Sequence, residues 1–154
     1  MALNRERVGV SYPSYVYEVS REKIREYAMA LGESHPRYHS AGDDCIAPPT
    51  FAAAFTVIKG AAAAFSDPEL GTHPVLVHGS QRFEFGSRPV RPGDVLVCTP
   101  RIADIAAKGR NEFLTIEVDC RFRDDDERAV LAASTIVLLG SAPEEDGAPA
   151  GGAA

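Results

Sequence analysis

Between Pro48 and Ser66 the chain is apolar on nearly every side. Phe51, Phe55, Ile58, Ala62 and Phe65 fall at helical spacing, and most positions between them are Ala or Val. Apolar residues recurring at that period mark the face of an α-helix. A helix that is apolar nearly all round is expected to be buried. Pro48 and Pro49 suit its first turn, where proline costs least. Ser66-Asp67-Pro68 ends it. Gly60, in its middle, costs about 1 kcal/mol against alanine, so close backbone packing is expected there. The small residues Ala52 to Ala54 and Gly60 to Ala64 fit either that packing or a tunnel beside the helix.

The rest of the chain supplies what can bury this helix. Leu114, Ile116, Val118, Cys120 and Phe122 alternate strictly with Thr115, Glu117, Asp119 and Arg121, which is the pattern of a half-buried antiparallel strand. Residues 75–85, 95–105 and 128–139 also read as strands, with Gly79 a bulge and Pro100 a bulge or an edge. Residues 15–19 form a shorter strand. After it, Ser20 caps a helix whose apolar face is Ile24, Tyr27, Ala28 and Leu31, with Gly32 as its stop. Residues 33–44 read as a polar loop and 124–127 as a hairpin tip. One long apolar helix and four or more long antiparallel strands imply an α+β hot-dog fold, a sheet wrapped around a central helix. Such a domain leaves sheet edges open, so pairing as a dimer or double hot dog is expected.

Residues 1–140 read as one domain, and residues 141–154, rich in Pro, Gly, Ala and acid, as a disordered tail. At 154 residues with 45% apolar composition the chain can build a proper core. It has no apolar run long enough to span a membrane and no apolar signal core, so a cytoplasmic protein is expected. Cys45, Cys98 and Cys120 suggest neither a disulfide framework nor a zinc site. The formal charge of −6 argues against a nucleic-acid partner. Arg82, Arg88, Arg91, Arg101 and Arg110 gather in mid-chain, and surface solvation is the simpler reading over a phosphate or acidic-partner site.

The segment Gly32-Glu33-Ser34-His35-Pro36-Arg37-Tyr38-His39, followed by Ala47-Pro48-Pro49-Thr50-Phe51, resembles the active-site region of MaoC-like hydratases and dehydratases. That family carries Gly-Asp-x-Asn-Pro-x-His and then Ala-His-Gly-Met opening a buried helix. The resemblance implies a hot-dog fold acting on acyl thioesters, with an Asp–His pair for acid–base chemistry and a Gly N–H for the thioester carbonyl. Here Glu33 stands at the Asp position, His35 at the Asn, Tyr38 at the His and Pro49 at the Gly. A tyrosine ordinarily titrates near 10 and is a poor base, although His35 or His39 would substitute after a shift of one residue. Glu33 keeps a carboxylate one methylene further out. Proline has no N–H to give, and losing one such donor typically costs about 10²–10³ in rate.

Further stretches, Arg21-Glu22-Lys23-Ile24-Arg25-Glu26-Tyr27-Ala28 and Arg88-Pro89-Val90-Arg91-Pro92-Gly93-Asp94, resemble the HadA-like subunit of bacterial (3R)-hydroxyacyl-ACP dehydratases. That resemblance implies a noncatalytic subunit that shapes the acyl channel while an unlike hot-dog partner carries the intact Asp and His. It implies acyl-ACP or acyl-CoA as substrate, with no metal and no organic cofactor. Glu33, Tyr38 and His39 are then degenerate catalytic positions, and Pro49, Thr50, Phe51 and Ala54 are candidates for substrate contact. The alternatives are a homodimeric (R)-specific enoyl-thioester hydratase, pairing with a second copy of itself and using Glu33 with His39 or Tyr38, and an acyl-thioester-binding scaffold without catalysis.

Overall fold

The structure, a computed structural model, describes residues 2–71 and 74–143. Its strands are β1 (Tyr15–Glu18), β2 (Leu76–Phe85), β3 (Val95–Lys108), β4 (Asn111–Phe122) and β5 (Arg128–Leu138). They form one antiparallel sheet ordered β1-β3-β4-β5-β2. On β4 every second residue from Glu112 to Phe122 is buried. Those residues, with Leu96, Cys98 and Ile102 on β3 and Ala132, Ile136 and Leu138 on β5, make the inner face. The strict alternation in the sequence is therefore the register of a sheet with one covered side.

Across that inner face lies the long helix α3 (Ala52–Phe65), touching β3, β4 and β5. This is the hot-dog architecture. The row set against the sheet is Ala52, Thr56, Gly60 and Ala64, all buried and all small. A Cβ added at Gly60 would stand 2.7 Å from Cγ2 of Val118, so the backbone approaches the sheet as closely as glycine allows. The close backbone packing expected at Gly60 is therefore present. Phe51 and Phe55 seal one end of the core with Val19, Ile24, Leu96 and Phe122. Leu3, Leu70, Ile102, Leu114 and Ile136 fill the other end.

The apolar stripe is only partly buried in the single chain. Phe51 and Phe55 are covered, but Ile58 is 76% exposed, Ala62 is exposed and Phe65 is half-buried. One sheet covers only one side of a helix. Because the covered row is made of small residues, the bulky Ile58 falls on the open side.

The helix α1 (Arg21–Ala30) begins at Ser20, whose hydroxyl accepts from the Lys23 N–H at 3.1 Å, and ends before Gly32 at φ 72°. Inside the expected loop sits a single turn, α2 (Pro36–His39), capped by His35 Nδ1 accepting from the Arg37 N–H. β2 carries its bulge between His78 and Ser80, around Gly79. The bulge of β3 lies between Ile102 and Asp104 instead of at Pro100. Pro100 stays in the ladder opposite Val118 and accepts at its carbonyl from the Tyr12 N–H, where the N-terminal segment runs alongside. Of the expected tail, residues 144–154 lie outside the described residues. Ser141 Oγ donates to the Leu138 carbonyl and Ala142 N–H to that of Arg110.

Candidate functional site

Three segments meet at the N-terminal end of α3. The loop after α1 is tied to the strap that follows β2 by Ala47 N–H donating to the Val90 carbonyl at 2.8 Å. The loop also folds on itself, Ile46 N–H donating to the Arg37 carbonyl. The start of the helix is fixed against α1 by Tyr27, whose hydroxyl donates to the Thr50 carbonyl at 2.7 Å and whose ring meets Phe51 edge-on at 5.4 Å. Between these segments lies a cleft of about 260 Å³. Tyr38, Pro48, Pro49, Phe51, Ala52 and Phe55 line one side of it. Phe85 and the strap through Val90, with Ala129 and Val130 of β5, line the other. The walls are mostly carbon, which suits an acyl chain rather than a polar ligand.

The strap lies close against β5 and the β4–β5 hairpin. Gly86 comes so near β5 that a Cβ there would fall 1.7 Å from the Arg128 carbonyl oxygen. Arg88 lays its guanidinium over the Phe122 ring at 3.4 Å and reaches Asp94 at 3.2 Å, Asp124 at 2.8 Å and Asp125 at 3.2 Å. Burial works against the charge of Arg88, but these three carboxylates more than offset it and hold its pKa above the ordinary value. The hydroxyl of Ser87 donates to Glu127 at 2.9 Å, a second tie to the β4–β5 hairpin.

The candidate acid–base residues are not brought together in this cleft. Tyr38 is half-buried and lines it, with its ring 5.3 Å from that of His35. Glu33 and His39 are exposed and do not line it. His39 Nε2 lies 2.7 Å from the backbone carbonyl oxygen of Glu33, so the ring closes the turn around α2. Among the substrate-contact candidates, Pro49 and Phe51 line the cleft. Thr50 and Ala54 are exposed and lie outside its lining. Two prolines open the helix, and the Phe51 N–H is taken by the Pro48 carbonyl at 2.9 Å. The first N–H after the prolines belongs to Thr50.

Phe55, the strap and the start of β5 were not among the sequence candidates for substrate contact. Arg88-Pro89-Val90-Arg91-Pro92 announces a turn, but nothing in it says that the turn folds back over the helix. Ala129 and Val130 carry no local signal at all; only strand pairing places them there. Among the described residues no group of three or more His, Cys, Asp or Glu is placed to hold a metal. No helix there is long and apolar enough to cross a membrane.

A sheet wrapped on one helix, with an apolar cleft at the helix N-terminus, defines a hot-dog domain. A family model described as the FAS1-like dehydratase domain region matches residues 6–132, and the chain belongs to this MaoC-like hot-dog family. A UPF0336 protein of Streptomyces coelicolor is 40% identical over 153 residues, covering 94% of this chain and 99% of the relative. A solved structure of the HadBC (3R-hydroxyacyl-ACP dehydratase) complex of Mycobacterium tuberculosis superposes with a TM-score of 0.73 at 26% identity, over 85% of this chain and 96% of that one. A MaoC-like dehydratase gives a TM-score of 0.75 at 25% identity, over 88% of this chain and 43% of that one.

Proposed function

We propose that this chain is the substrate-holding subunit of a (3R)-hydroxyacyl-thioester dehydratase of fatty-acid synthesis, acting in the cytoplasm with a partner hot-dog chain that supplies the acid–base pair. The observation that carries this reading is the composition of the cleft. It is apolar and sits where a thioester would meet the helix, yet of Glu33, Tyr38 and His39 only Tyr38 lines it. Elimination of water from a 3-hydroxyacyl thioester needs a base for the α-proton, an acid for the leaving hydroxyl and an N–H for the enolate-like oxygen. Tyr38 offers a single hydroxyl, and Pro49 offers no N–H. The cleft is suited to hold the acyl chain while the chemistry is done from the partner.

A place for that partner supports the reading. β2 is an edge strand ten residues long, and Leu76, Val77 and Phe85 on it are 44%, 46% and 54% exposed. Ile58 adds a bare apolar side chain on the open side of α3. A long edge with exposed apolar residues and no lysine is a template for another strand. Phe85 also lines the cleft, so a chain docked along β2 would cover the cleft's outer wall.

A second reading, a self-sufficient homodimeric hydratase, is favoured by one contact, the His39 ring on the Glu33 backbone, which keeps a carboxylate-bearing residue and an imidazole together. Hydration of crotonyl-CoA separates the two. The purified chain is expected to be nearly inactive alone and active when mixed with a hot-dog chain that retains Asp and His. Robust turnover by the chain alone would establish the second reading instead. Thioester binding without turnover in any combination would leave a binding or scaffold role.

A further inference from the structure

β3 and β4 each carry one cysteine, and the strand register sets the two face to face. Cys98 stands directly opposite Cys120. Both lie on the inner face of the sheet and both are fully buried. The backbone bonds on either side decide what kind of pair they make. In an antiparallel ladder the N–H and C=O of one residue point to the same neighbouring strand, and those of the next residue point the other way. Val95 turns toward β4, since its carbonyl accepts from the Arg123 N–H at 2.8 Å. Leu96, Cys98 and Pro100, at the alternate positions, therefore turn away from β4. Pro100 agrees with this: it has no N–H, and its carbonyl accepts from the Tyr12 N–H at 2.9 Å on the other side. The register between β3 and β4 is unbroken over this stretch, its shift coming later, between Ile102 and Asp104.

Cys98 and Cys120 are thus a non-hydrogen-bonded pair. Directly opposed residues of that kind hold their Cα atoms about 4.5 Å apart, closer than the roughly 5.5 Å of a hydrogen-bonded pair. Disulfides span Cα separations of about 4.4–6.8 Å, so the strands already stand at a bridging distance. The side chains also interact. Burial first, and then the Cys98 thiol, push the Cys120 thiol above its ordinary value. Two small residues packed side by side in a core need no further role, but here both are the same oxidisable group. Cys45 shares their core cluster and lies outside every strand, with no cross-strand partner. Spacing along the chain does not reveal the pair, because only the register brings it together.

We infer that Cys98 and Cys120 form a covalent modification site, closing a cross-strand disulfide in the core when a two-electron oxidant such as hydrogen peroxide reaches them. One sulfur, as thiolate, attacks a peroxide oxygen and breaks the O–O bond. The departing oxygen takes up the thiol proton and leaves as water, and the sulfur keeps the other oxygen as a sulfenic acid. The second sulfur then attacks the first, and the sulfenic oxygen leaves with the second thiol proton as another water. Two thiols give up two electrons and two protons, and one peroxide takes them up. The thiolate is the reacting form, and neither residue meets solvent in the closed fold. The reaction therefore runs through local opening of the sheet and is slow while the domain stays closed. Once made, the bond ties β3 to the middle strand β4, in the core cluster that also holds the cleft residues Phe51 and Phe55.

Oxidation of the full-length chain with hydrogen peroxide in sub-denaturing urea, followed by thiol counting and peptide mapping, tests this. The oxidised chain is expected to weigh two hydrogens less, to keep only the Cys45 thiol and to yield a peptide joining Cys98 to Cys120. Its melting temperature should rise by about 5–10 °C and return to the starting value on reduction. The bond should form faster as urea is raised below the unfolding transition. Cys45→Ala should oxidise as the parent does, and Cys98→Ala or Cys120→Ala should keep both of its remaining thiols. Mapping of the parent and of Cys45→Ala decides the matter if either of the last two fails to fold. Three thiols left after peroxide treatment would overturn the inference. So would a bond made through Cys45, or sulfinic acid at Cys98 or Cys120 in place of a bond. A Cys98–Cys120 bond that leaves the melting temperature unchanged or lower also overturns it, since a bridge that fits the native register stabilises the fold.

Discussion

The imidazole Nε2 of His39 lies 2.7 Å from the backbone carbonyl oxygen of Glu33, so one candidate base is engaged in closing a turn rather than facing the cleft. His39→Ala should therefore act on stability more than on chemistry. A loss of about 0.5–1.5 kcal/mol, the usual worth of one hydrogen bond, is expected in denaturant unfolding. Acyl-thioester affinity should stay within about twofold, because His39 does not line the cleft. A large fall in affinity with unchanged stability would place the ring in the site after all.

Phe55 and Ile58 share one helix and have opposite fates, 1% and 76% exposed. Phe55→Ala removes a ring packed 5.1 Å from Tyr17 and 6.0 Å from Phe51, and should cost about 3–5 kcal/mol. Ile58→Ala should change the stability of the isolated chain by about 0.5 kcal/mol or less. If the open side of α3 meets a partner, the charged variant Ile58→Glu should weaken assembly in sedimentation velocity while leaving monomer stability unchanged. An Ile58→Glu chain that assembles as well as the parent would move the interface elsewhere.

Most of the fold is readable in the sequence, and the reason is periodicity. The alternation from Leu114 to Phe122, the Ser20 cap and the Gly32 stop each express a local rule that tertiary structure left in force. The helical stripe was harder to read. Its period gives a helix but cannot say which side the sheet takes when nearly every side is apolar. The side was decided by Gly60, whose approach to Val118 requires the small row to face inward. At the candidate site the motif segment was legible and so were its substitutions. The opposite wall was not, because Gly86 to Val90 and the start of β5 reach the helix only through strand order.

Gly86 offers a direct check on that wall. With the Arg128 carbonyl oxygen 1.7 Å from the position of a Cβ, Gly86→Ala forces the strap away from β5. The strap also carries Arg88, whose three carboxylate contacts would have to follow. We expect a loss of about 1–3 kcal/mol, as for other forced overpacking, together with weaker acyl binding. A variant that keeps parental stability and affinity would mean that the strap does not form this wall.

At the far end of α3, Asp67 is 5% exposed in its side chain and is bonded by Arg7 at 2.7 Å and by the Tyr12 hydroxyl at 2.9 Å. Burial alone would raise its pKa. The Glu69 backbone N–H, the Tyr12 hydroxyl and Arg7 outweigh that and hold it below the usual carboxylate range. Burial and the same carboxylate push the Tyr12 phenol up to about 12. A group whose folded pKa is depressed contributes stability above its unfolded pKa and loses it as pH falls through the folded value. Asp67→Asn should therefore lower the melting temperature at pH 7, and the gap from the parent should narrow as pH falls below the ordinary aspartate value near 3.9. A gap that stays constant with pH would show that the carboxylate charge is not what stabilises this corner.

The central claim is that this chain holds the acyl group while another chain performs the acid–base chemistry. It is tested most directly in the reconstituted complex, by comparing kcat on crotonyl-CoA for the parent and for a triple variant, Glu33→Gln, Tyr38→Phe and His39→Ala, in this subunit alone. The account predicts kcat within about threefold of the parent, with any change confined to KM, since none of these groups is asked to move a proton. A fall in kcat of about 10²-fold or more, the scale of a lost general acid or base, would contradict it.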